Sequence, residues 1–181
     1  MKPIRVFSVD PGLSHCGVSV IELTKHGDIN FLFAETIDTD SYIKSLNYIV
    51  DLHGKRQARL AAISKRINNI LTFYKPNVAA SEIPFWNPGR PAAFEPLVAV
   101  VTTIANLIFE YDPSIGFERV PAAKVKSNLQ VVGSSSDKSL VKSAIIRRNL
   151  FQDYEEFNSL GPDAIDALAV GIFICDTLNK F

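Results

Sequence analysis

The chain has 181 residues, 47% of them apolar, with 19 basic against 19 acidic side chains and only two cysteines. That length fits one domain, residues 1–181, with its own core. Zero net charge excludes a protein that holds polyanions by bulk charge alone, and two cysteines in apolar surroundings exclude a disulfide scaffold and read as buried thiols. No apolar run approaches the length of a membrane span, and the N-terminus runs straight into a strand pattern without a signal or transit segment. The expectation is a soluble protein of the cytoplasm.

Residues 4–10 read as a buried strand, 11–14 as a turn, and 16–23 and 31–37 as two further strands, joined through Lys25–Asp28. Short links between three successive strands predict an antiparallel meander. The polar connection 38–54 has no assigned structure. Leu60, Ile63, Ile67, Ile70 and Leu71 recur at helical spacing and predict a helix over 56–74, which Pro76 stops. A strand follows at 77–82, then an irregular loop to Pro91, an apolar helix over 93–111 and a strand at 114–120. Helices are expected at 121–129 and 138–149. A last helix starts at Gly161-Pro162, with proline suited to a first-turn position, and runs to about 178. The order defines an α/β domain without repeats or linkers.

Four carboxylates stand out. Asp10 and Glu82 end apolar strands, and Asp163 and Asp166 sit at the start of the last helix. Spaced three apart, the last two share a helix face, and the positive end of the helix dipole favours them there. Ala164, Ala167 and Ala169 suggest that this helix presses close to a sheet, where acids are costly without a partner. Taken singly, each acid has a bland reading as a turn, strand-end or helix-start residue. Together they suggest a site for a divalent cation. Between Arg119 and Arg148 the chain is basic, with Asp137 the only acid; from Asp153 on the sign reverses. A basic surface beside an acidic centre suits an enzyme that cuts a polyanion.

These segments resemble the RuvC family of Holliday-junction resolvases, which has an RNase H-like fold. The resemblance rests on Asp10-Pro11-Gly12 with Gly17, on Ser81-Glu82-Ile83-Pro84-Phe85, on the lysine-bearing stretch from Val125-Lys126-Ser127 to Asp137-Lys138-Ser139, and on Asp163-Ala164-Ile165-Asp166-Ala167-Leu168-Ala169. It covers nearly the whole chain in order. Departures fall in the long connection 38–54, in the loop after Glu82 with its Trp86, prolines and Gly89, in the following helix, which lacks glycines, and in one extra residue between Lys126 and Lys138.

The resemblance implies a five-stranded mixed sheet, three antiparallel strands followed by parallel ones, flanked by helices. It implies that Asp10, Glu82, Asp163 and Asp166 hold two Mg²⁺ ions, with Mn²⁺ able to substitute, and that Lys138 is a catalytic residue whose positive charge lies near the scissile phosphate, with Lys126 next. It implies a homodimer that acts on four-way or branched DNA and leaves 5′-phosphate and 3′-hydroxyl ends, with no membrane involved. Phe85, Trp86, Arg90, Lys124, Lys126, Lys138, Lys142, Arg147 and Arg148 are the expected DNA contacts. His15 reads as a surface turn residue. Two other readings stay open: a broader nuclease for flaps and forks, and a junction-binding module without catalysis.

Overall fold

β1 (Ile4–Asp10) lies at the centre of a five-stranded sheet of order β3-β2-β1-β4-β5. The computed structural model describes residues 2–45, 47–86, 88–89, 91–131 and 139–180. β2 (His15–Leu23) runs antiparallel to β1, from Ile4 opposite Leu23 to Asp10 opposite Gly17. β3 (Ile29–Asp38) runs antiparallel to β2, and the register slips once between Val20 and Ile21, leaving Leu32 unmatched. This is the one-residue excess of a β-bulge. β4 (Val78–Glu82) lies parallel to β1, and β5 (Phe117–Val120) parallel to β4. The expected mixed sheet is therefore present, with its three antiparallel strands first.

Helices cover both faces. α2 (Asn47–Tyr74) and α3 (Phe94–Tyr111) pack on one face. There Leu60, Ile63, Ile67, Ile70, Leu71, Val100, Ile104 and Ile108 meet Phe7, Val9, Val18, Val20 and Ala79. α4 (Ala122–Asn128), α5 (Ser139–Arg147), α6 (Glu155–Ser159) and α7 (Pro162–Leu178) cover the other face. Val125, Val141, Ile145, Phe157, Ile165, Leu168 and Ile172 there meet Val6, Ile21, Ala80 and Val120. Each such aliphatic side chain contributes roughly 1.5–3 kcal/mol on burial. Cys16 and Cys175 are free thiols in separate cores, and burial pushes both up to about 12.

Three differences from the sequence reading have physical causes. The connection 38–54 contains α1 (Thr39–Lys44), whose first amides are capped by the Asp38 carboxylate. It also contains the opening of α2, which kinks at Gly54, where φ is 78°. α6 holds only Phe157 in the core, too little to print a helical period. Finally, Pro91–Tyr111, 21 residues with mean hydropathy 1.8, is by length and composition long and apolar enough to cross a bilayer, contrary to the expectation that no run is. One side of α3 lies in the core, whereas Val98 and Phe109 are 39% and 69% exposed.

Candidate active site

Strand alternation aims two of the acids. In β1, Val6 belongs to the α7 side, and Phe7 and Val9 belong to the α2 side. Period two then turns Ser8 and Asp10 toward α7. In β4, Ala79 faces α2 and Ala80 faces α7, so Glu82 turns the same way. The parallel register pairs Val9 with Ser81, which leaves Asp10 and Glu82 adjacent at the ends of neighbouring strands. Asp163 and Asp166 occupy the first turns of α7, directly above.

α7 can come this close because its contacts are small. A Cβ on Gly17, opposite Asp10, would stand 1.9 Å from the Asp163 carbonyl oxygen. One on Gly171 would stand 2.7 Å from Ser8 Oγ, itself hydrogen-bonded to Ser19 Oγ at 2.6 Å. The alanines of the sequence motif sit in this seam, with Ala164 and Ala167 fully buried.

All four acids are half-buried. Burial, together with the charge of Asp166, pushes the Glu82 carboxyl above its ordinary range, and Lys126 opposes that rise. The Cys16 thiol feels Asp10 and Asp163 as well. The site thus concentrates negative charge that a cation would relieve. The donor set fits a divalent cation of the Mg²⁺ or Mn²⁺ type, because the converging groups are carboxylate oxygens without a histidine or thiolate among them.

Beyond the acids, the expected contacts divide. Phe85 and Trp86, just past Glu82, are 75% and 54% exposed. Lys124 is exposed on α4, two residues before the half-buried Lys126. Lys142 donates to the Asn158 carbonyl at 2.8 Å and lies 5.3 Å from the centre of the Phe157 ring. Arg147 donates to the Gln130 carbonyl. Arg148 grips both oxygens of Asp176, at 2.7 and 2.8 Å. Arg90 and Lys138 lie outside the described residues.

The sequence reading passed over a second cluster at the same end of the sheet. His15, Asp38 and Asp40 bring ligand atoms within 4.8 Å of one another, a group that could hold a metal ion. Asp40, however, already pairs with the Arg59 guanidinium, and the Ser41 hydroxyl holds the Asp38 carboxyl below its usual range. The available signal was the Asp-Thr-Asp run at 38–40.

A mixed sheet with carboxylates gathered at the C-terminal end of its central strand, under a helix N-terminus, defines the class of RNase H-like nucleases. Residues 6–174 match the family model described as crossover junction endodeoxyribonuclease RuvC, and the chain belongs to the RuvC family. It is 28% identical over 188 residues to the RuvC of Bartonella tribocorum, across 99% of this chain and 91% of that protein. It is 31% identical over 84 residues to the RuvC of Wolbachia sp. subsp. Drosophila simulans (strain wRi), a match spanning 46% of this chain and 45% of that protein. The backbone superposes on Thermus thermophilus RuvC, solved in complex with a Holliday junction substrate, with a TM-score of 0.71 at 16% identity, covering 98% of this chain and 96% of that one.

Proposed function

We propose that this chain is one nuclease domain, residues 1–181, that acts as a homodimeric, Mg²⁺-dependent endodeoxyribonuclease resolving four-way DNA junctions. The observation that supports the reading is that strand register and the start of α7 put two strand-end acids and two helix acids on one face at one end of the sheet, where the charge of Asp166 adds to burial in pushing the Glu82 carboxyl up. Asp10, Glu82, Asp163 and Asp166 would hold the metal. Bound there, a pair of divalent cations supplies the positive charge that favours water attack on phosphorus and departure of the 3′ oxygen. The products are a 5′-phosphate and a 3′-hydroxyl, and two subunits give paired, symmetric nicks.

Lys126, whose charge reaches Glu82, suits a scissile phosphate, and Lys138 has the same assigned role. Exposed Phe85 and Trp86 suit stacking on bases that a branch point leaves unpaired. Lys124 and Arg90 suit backbone phosphates. Lys142, Arg147 and Arg148 would have to exchange bonds inside the protein for a phosphate. The exposed apolar side of α3 suits a second copy of the chain, and that symmetry would match the near-two-fold symmetry of a junction. The working location is the cytoplasm, at the nucleoid.

Cleavage of a synthetic four-way junction tests this. Mg²⁺ or Mn²⁺ should give symmetric paired nicks, EDTA should abolish them, and Asp163→Asn should slow them by about a hundredfold or more. No cleavage with either metal would sink the proposal. The exposed Phe85-Trp86 pair also favours a second reading, because it would serve any unstacked branch. Equal rates on flaps, forks and four-way junctions would select a general debranching nuclease.

A further inference from the structure

Asp10 is the last residue of β1, and the chain must reverse through Pro11–Ser14 before β2 begins. The reversal is tight: a Cβ on Gly12 would stand 1.9 Å from the His15 carbonyl oxygen. This turn is held from outside itself. Thr39, fully buried at the start of α1, donates its hydroxyl to the Leu13 carbonyl at 2.8 Å and lies 3.1 Å from that of Ser14. The Thr39 amide donates to the same Ser14 carbonyl at 2.9 Å. From α2, Arg59 donates to the Ser14 hydroxyl, to Thr39 Oγ1 and to the Asp40 carboxylate. Its side chain is only 15% exposed. α2 lies on the face of the sheet opposite the acids, so this network supports the turn from behind.

We propose that Arg59 is a positioning residue for Asp10, clamping the turn through Ser14, Thr39 and Asp40 so that the carboxylate meets the metal in one orientation. The clamp uses α1, which sits in the connection whose length sets this chain apart in sequence. It rests on the reading of Asp10 as a metal-holding acid. A loose turn would leave Asp10 present but mobile, and metal binding would then have to order it.

Titration of the full chain with Mn²⁺, without DNA, tests the clamp by calorimetry. Arg59→Met and Ser14→Ala should each weaken Mn²⁺ binding, Arg59→Met by about tenfold, as loss of groups that orient metal ligands does. The metal concentration for half-maximal junction cleavage should rise in parallel, while the rate at saturating metal stays near that of the parent. Arg59→Lys should recover part of the affinity. Arg56→Ala, which removes an exposed ion pair between α2 and Glu95 of α3, should change nothing. Unchanged Mn²⁺ affinity in Ser14→Ala and in folded Arg59→Met overturns the proposal, as does a fall in rate without a change in affinity. If Arg59→Met fails to fold, Ser14→Ala decides alone. Parent-like Mn²⁺ binding by Asp10→Asn would instead overturn the assignment of Asp10.

Discussion

Glu82 shows how one residue carries the logic of the site. Burial and the charge of Asp166 both resist its ionisation, and Lys126 offsets only part of that resistance. A dication removes the resistance, so losing one acid should remove the cation's hold. Asp163→Asn and Glu82→Gln should each lower junction cleavage by about a hundredfold or more, because the charge stabilisation at stake is worth several kcal/mol. Binding of the junction should persist in both. At the opposite end of α7, Asp176 behaves differently. Burial pushes its carboxyl up, but hydrogen bonds from Arg148 and Asn128, with the charges of Arg148 and Lys180, outweigh burial and hold it below the ordinary carboxylate range. A lowered folded value means that the unfolded chain takes up the proton first. The stabilisation is therefore complete above the ordinary carboxylate range and disappears as pH falls through and below it. Asp176→Asn should cost about 2 kcal/mol at neutral pH and nearly nothing in strong acid. Thermal melts of parent and variant across pH would reveal the convergence.

Among elements, the seam between α7 and the sheet sets the geometry of the acids. Gly17→Ala would drive a methyl group into the Asp163 carbonyl, so α7 must lift where its acids begin. The expected cost is about 1–3 kcal/mol of overpacking, with a loss of cleavage out of proportion to the fall in Tm. Comparing melting with rate separates the two effects. The strands and long helices were legible in the sequence, because apolar runs ending in acids and five apolar side chains at helical spacing on α2 are local signals. The pairing of Asp163 with Asp166 was legible for the same reason. The Arg59 clamp was not, because three elements distant in sequence must first meet before its partners exist. α1 escaped notice because it buries only Thr39 and Ile43. The Arg148 ion pair was not legible either, because its partner Asp176 stands 28 residues away.

For the whole molecule, α3 is the element that the single chain leaves unfinished. Val100, Val101, Ile104 and Ile108 enter the core, while Val98 and Phe109 face outward. If a second copy covers them, Phe109→Glu should give monomers in analytical ultracentrifugation at concentrations where the parent is dimeric. Its Tm should change little beyond the loss of association, since Phe109 contributes little to the core of its own chain. Junctions should then be nicked on one strand at a time.

The seam between Gly17 and Asp163 also ties segments some 146 residues apart in the sequence into one event. Strands β1 to β5, with Asp10 and Glu82, all precede α7 in the chain, and α7 brings two of the four acids. Contacts of such long sequence separation close late in folding. If the four acids hold the metal, a chain whose α7 has not yet docked would fold its sheet without the capacity to cut DNA.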